Sequence, residues 1–155
     1  MSKTNAIRIL EANNIKYSTS TYEVNEDKLD AVTVAHQINA DPESVFKTLV
    51  TRGDKNGINV FCIPGNMELN LKKSASASGN KKIEMIKVKE ITEITGYIRG
   101  GCSPIGMKKE YPTFIDETAQ LFPQIYISAG IRGMQIKLLP EDLCQITKAS
   151  FTDLI

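Results

Sequence analysis

Histidine is almost missing from this chain: His36 is the only one in 155 residues. A Ser-His-Asp or Cys-His nucleophilic arrangement would have to be built on it, and no Gly-x-Ser-x-Gly elbow accompanies it. A histidine-rich metal cluster is excluded, and no metal is expected. Cysteine is sparse as well. Cys62, Cys102 and Cys144 are odd in number, widely spaced and free of any Cys-x-x-Cys, which reads as free thiols and not as a disulfide framework or zinc site. No apolar run approaches the roughly 20 residues that span a bilayer. The start, Met-Ser-Lys-Thr-Asn, lacks the apolar core of a signal peptide. A cytoplasmic protein without a membrane partner is expected. Phosphate-loop motifs, repeats and low-complexity segments are absent, and no cofactor is expected.

What is present suits one domain over residues 1–155, with 41% hydrophobic and 24% charged residues. The net charge of +1 hides an asymmetry. Residues 70–109 hold nine lysines and arginines against three glutamates, while the remainder holds ten against fifteen acidic residues. Lys72, Lys73, Lys81, Lys82, Lys108 and Lys109 belong to this basic stretch. A local anionic partner such as a nucleic-acid backbone is one reading, and a solvated lysine face is the other.

Four of the ten glycines, Gly96, Gly100, Gly101 and Gly106, fall between Thr95 and Lys109, with Pro104 among them. Such a loop can hold shape and present backbone N–H groups to an oxyanion, or it can be a structural double turn.

In chain order, Thr4 caps a first helix with Ala6, Ile9, Leu10 and Asn13 on one face. Residues 15–23 have strand composition, and residues 29–38 read as a second helix carrying His36. Asp41-Pro-Glu-Ser44 starts a short helix before a β-prone run from Val45 to Thr51. Gly53 to Gly57 is a hairpin turn, and residues 58–63 return. Helices are expected at 69–78, ended by Gly79, and at 84–94. A strand at 112–115, a capped short helix at 116–122, a hairpin of 125–130 with 134–138, and a helix from Pro140 complete an α+β pattern with a mixed sheet.

Lys47 is the single charge between Val45 and Val50. It either snorkels to the surface or enters a pocket, where desolvation would lower its pKa. Cys102 lies in the glycine loop, as an incidental thiol or a nucleophile.

Five segments stand in one order: Val45-Phe-Lys-Thr-Leu-Val50, Leu69-Asn-Leu-Lys-Lys73, the loop Thr95–Lys109, Pro112-Thr-Phe-Ile-Asp116 and Ile127-Ser-Ala-Gly-Ile-Arg-Gly133. Together they resemble the YbaK-type family of free-standing bacterial aminoacyl-tRNA deacylases. The resemblance implies a compact α+β domain whose mixed, mostly antiparallel, barrel-like sheet is flanked by helices. It implies an editing hydrolase that clears Cys-tRNA(Pro), with Cys-tRNA(Cys) as a further substrate, by attack of the substrate thiol on its own ester. By motif match the essential lysine is Lys47, and Tyr22, Thr48 and Ser128 fall in the pocket. The backbone of Gly100 and Gly101 would lie along the ester. Gln135 stands where the family carries an aspartate, and Leu29 is the nearest candidate for a pocket aromatic. The resemblance further implies prolyl-tRNA synthetase as partner and the acceptor-stem phosphates as target of the basic stretch. Editing of Ala-tRNA(Pro) or another small aminoacyl-tRNA, and a non-catalytic module that binds aminoacyl-tRNA or synthetase, are the alternatives.

Overall fold

A computed structural model describes residues 3–155. The described residues form two hydrogen-bonded sheets linked by one isolated bridge. β1 (Ser18–Thr21) and β6 (Ile125–Ser128) flank β7 (Met134–Leu138) in a three-stranded antiparallel sheet. β2 (Phe46–Gly53) and β3 (Gly57–Pro64) form the expected hairpin at the centre of a second sheet. β4 (Ile83–Met85) pairs antiparallel with β2, whereas β5 (Thr113–Asp116) and β8 (Ser150–Thr152) add in parallel beyond β3. A bridge between Val45 and Tyr126 links the two sheets. The sheets are mixed and mostly antiparallel, as expected.

Five α-helices occur among the described residues: α1 (Asn5–Ala12), α2 (Ala31–Gln37), α3 (Leu71–Ala77), α4 (Ile91–Thr95) and α5 (Pro140–Thr147). The Thr4 hydroxyl accepts from Ile7 N–H at 3.2 Å, the cap its position predicts. The buried face of α1 is Ala6, Ile7 and Leu10, with Ile9 only partly covered. Gly79 follows α3 with φ +76°, a backbone few other residues adopt cheaply.

Three expectations are corrected. Residues 84–94 are not one helix: Ile83, Glu84 and Met85 pair with Gly53, Arg52 and Thr51, and pairing overrides local propensity. Helical turns resume only at Val88–Glu90 and in α4. The segments after Asp41 and Asp116 are 3-10 turns, each tied at its start by the aspartate. β8 was not expected, because three residues carry little periodicity and its partner β5 lies over thirty positions earlier.

Alternation along β3 covers both faces of the larger sheet. Cys62 joins Phe46, Ile127, Ile136 and Leu143 in one core, under α1 and α5. Phe61 and Ile63 join Ala75, Ile83 and Leu154 in a second, where the rings of Phe61 and Phe114 stack with centroids 5.3 Å apart. Fully buried Asp116 accepts from Leu154 N–H at 2.9 Å and from the N–H and hydroxyl of Thr118, so its charge is not left bare.

Candidate active site

A cavity of about 430 Å³ opens where the two sheets meet. The first residues of β2 form one wall, Ser128 of β6 and Gln135 of β7 another. Tyr22, Leu29, Gly65, Arg99, Gly100 and Cys102 complete much of the lining.

Lys47 faces Ile63 across the hairpin and is half-buried. Its Nζ donates to the Gly65 carbonyl at 3.3 Å and makes no ion pair among the described residues. An ammonium carries three donors, so two are left for an occupant of the cavity. Burial lowers the Lys47 pKa, opposed by the charges of Glu68 and Asp30. Gly65 sets the lysine's anchor. A Cβ there would lie 2.4 Å from Ala31 Cβ and 2.9 Å from Val45 O, and the Gly65 N–H is bound to that same oxygen at 2.7 Å. Nothing in the sequence reports that crowding; Pro64-Gly65 at the end of an apolar run was the only signal.

Thr48, next to Lys47 in the strand, also lines the cavity and is paired in register with Cys62, whose thiol is fully buried. Burial pushes that thiol up to about 12. Cys102 is pushed up to about 11 by burial, with the nearby Thr95 working the other way. At neutral pH neither thiol supplies a thiolate, the form that attacks. His36 is exposed on α2 and does not line the cavity.

Ser128 and Gln135 sit opposite each other in register. The Ser128 hydroxyl accepts from Gly130 N–H at 3.2 Å. Gln135 is 6% exposed and its Oε1 has no hydrogen-bond partner. The Tyr22 N–H is held by Gly133 O at 2.9 Å. Of the two central loop glycines, Gly100 (φ +81°) reaches the cavity. Gly101 lies behind it, its N–H donated to Ile98 O at 3.0 Å, and a Cβ there would meet the Ile131 carbonyl carbon at 2.9 Å. Close packing against the β6–β7 turn is what requires glycine at that position.

The six lysines singled out in the sequence are dispersed, and none lines the cavity. Lys73 of α3 binds Asp153 at 2.8 Å and the Ile155 carbonyl at 2.6 Å, with Lys72 exposed beside it. Lys81 and Lys82 flank the far end of β2, their N–H groups on Asp54, about 20 Å along the strand from Lys47 at roughly 3.4 Å per residue. The Lys108 chain lies over Gly96, and Lys109 borders a groove between α1 and α5. The cations at the mouth are instead Lys28 and Arg99, with Arg132 alongside. Sequence reading counted Arg99 only as net charge.

Among the described residues no cluster of three His, Cys, Asp or Glu side chains could hold a metal, and no helix is long and apolar enough to cross a membrane.

The aminoacyl-tRNA editing domain matches residues 25–146, which include both cavity walls. The chain belongs to that family. Among its relatives, EbsC of Enterococcus faecalis, provisionally named a Cys-tRNA(Pro)/Cys-tRNA(Cys) deacylase, is 50% identical over 98% of this chain and 93% of its own length. A proline–tRNA ligase of Brachyspira hyodysenteriae is 30% identical across 64% of this chain, a segment that is 17% of the ligase. A crystal structure provisionally described as a trans-editing enzyme for prolyl-tRNA synthetase superposes with a TM-score of 0.82 at 25% identity, covering 99% of this chain and 98% of that one. This chain is thus similar both to a protein of its own size and to a segment of a proline–tRNA ligase.

Proposed function

We propose that this editing-family protein removes cysteine from mischarged tRNA(Pro), and from Cys-tRNA(Cys), with the nucleophile supplied by the substrate. The cavity carries the reading: it contains a lysine with two uncommitted donors, while both of the thiols near it are held protonated by burial. The substrate sulfur attacks its own ester carbonyl. A carbon–sulfur bond forms, the bond to the ribose oxygen breaks, and the thiol proton ends on that oxygen. tRNA and a cysteine thiolactone leave. Lys47 stabilises the charge that develops on the carbonyl oxygen or sulfur. Tyr22, Thr48, Ser128 and Gln135 shape and bind the aminoacyl group, while Gly100, braced by Gly101, lets the ester pass close to bare backbone. Lys72, Lys73, Lys81, Lys82, Lys108 and Lys109 offer charge to the acceptor stem farther out.

The synthetase-embedded relative suggests prolyl-tRNA synthetase as the partner from which this chain receives its substrate. Cysteine is close to proline in size, and small apolar differences discriminate weakly, so the synthetase needs correction downstream. The test is deacylation of Cys-tRNA(Pro), Ser-tRNA(Pro), Ala-tRNA(Pro) and Pro-tRNA(Pro) side by side. Cysteine should be released much faster than the others. Equal rates for cysteine and serine would remove substrate self-attack, and preference for alanine would move the specificity.

A further inference from the structure

The tripeptide Ile-Arg-Gly occurs twice in the sequence, at Ile98-Arg99-Gly100 and Ile131-Arg132-Gly133, and nowhere else. The fold brings the two copies together at the cavity mouth. Both glycines have positive φ, +81° and +91°, so each arginine sits just before a left-handed turn. The Arg132 Nε donates to the Arg99 carbonyl at 2.8 Å, passing so near Gly100 that a Cβ there would lie 3.3 Å from that nitrogen. Gly101 packs on the Ile131 and Arg132 backbone. The turns are therefore locked to one another.

The Arg132 guanidinium is fixed through Nε, which leaves its two terminal NH₂ groups. One of them meets only the exposed Glu26, at 3.9 Å. The Arg99 side chain is exposed and forms no ion pair among the described residues. Ile98 and Ile131, 46% and 39% exposed, place apolar surface beside each arginine. Opposing charge comes from Asp27 and Asp30 in the cavity lining, and Asp30 is occupied in capping α2 through Thr33. A planar fork held by one edge is suited to a bidentate oxyanion.

We infer that the twin Ile-Arg-Gly turns clamp the single-stranded 3′ end of an RNA, the arginines gripping its terminal phosphodiesters and the isoleucines supporting the adjoining sugar or base. This rests on the deacylase reading only in its choice of RNA: an ester on the terminal ribose brings the nearest phosphate one sugar away from the cavity. The clamp positions the strand and does not read its sequence.

Binding of an uncharged acceptor-stem microhelix with a single-stranded 3′ overhang, followed by fluorescence anisotropy across salt concentrations, tests it. Arg99→Gln and Arg132→Gln should each weaken binding about tenfold, and each should lower the salt slope by about one. Trimming the overhang to a blunt end should erase the difference between variants and wild type. Arg99→Gln is the cleaner variant, since its side chain holds no other part of the protein. Unchanged affinity in Arg99→Gln, or equal loss on blunt and overhanging RNA, would overturn the clamp. A second arm compares aminoacyl-tRNA with 3′-O-aminoacyl adenosine, which has no phosphate. The variants should raise KM far more on the tRNA, with kcat held; equal effects on both esters count against the clamp. RNA binding without turnover of any ester would keep the clamp and sink the deacylase.

Discussion

The two ends of β2 treat polar groups in opposite ways. At the far end Asn80 Nδ2 donates to Asn56 Oδ1 at 2.9 Å and to Ser78 Oγ at 2.9 Å, and its Oδ1 accepts from Lys55 N–H at 2.9 Å. Asp54 binds the N–H groups of Lys81 and Lys82, and Asn56 Nδ2 donates to Ser78 O at 2.7 Å. Asn59 Oδ1 alone is left over in that network, and it borders none of the cavities described above. At the near end Lys47 has one protein acceptor and Gln135 Oε1 has none, beside a cavity of about 430 Å³. Where side chains satisfy one another they hold the hairpin. Where they are left short, they await something from outside.

That contrast breaks most visibly at Lys47. Lys47→Ala should lower single-turnover deacylation by about 10² or more, the usual loss of a preorganised charge. Lys47→Arg should rescue poorly, because a planar fork does not replace a point charge. Thermal unfolding of the same samples should show no loss of stability. The sign follows from the lowered pKa. The charged form is disfavoured by folding, in full below the folded pKa. That cost fades as pH rises toward the unfolded value of 10.5. Wild type should therefore gain stability through that alkaline window, and Lys47→Met should not. A folded Lys47→Ala protein of normal rate would erase the distinction between the two ends.

The reverse holds for Asn80→Ala, which should cost about 1–3 kcal/mol in urea unfolding while leaving kcat of the folded fraction intact. A selective loss of rate would show that the far end is not merely structural. The smallest effect is expected from Cys102→Ala, which should keep most activity, since this thiol, its pKa raised by desolvation, is not the nucleophile under this reading. Loss of all turnover in a folded Cys102→Ala protein would revive a protein thiol as nucleophile.

Much of the near end was legible in advance, because a solitary lysine in an apolar strand and a dense run of glycines are local signals. Lys47, Tyr22, Thr48, Gly100, Ser128 and Gln135 all line one cavity, as the motif match implied. Gly65 and Arg132 were not legible. Their roles depend on Ala31, Val45 and Arg99, residues brought near by folding alone. β4 and β8 escaped for the same reason, since three residues gain strand identity from a partner. The six lysines of the basic stretch are close along the chain yet dispersed over the fold, and none of them lines the cavity.

Among the described residues one bridge, between Val45 and Tyr126, links the two ladders, and this keeps the walls of the cavity separable. Lys47 hangs on one hydrogen-bonded ladder, while Ser128 and Gln135 hang on another. A substitution at Ser128 or Gln135 need not disturb the register of the first. With Lys47 proposed for the chemistry and Ser128 and Gln135 for the fit, one wall can be altered to admit a different aminoacyl group while the other keeps its place.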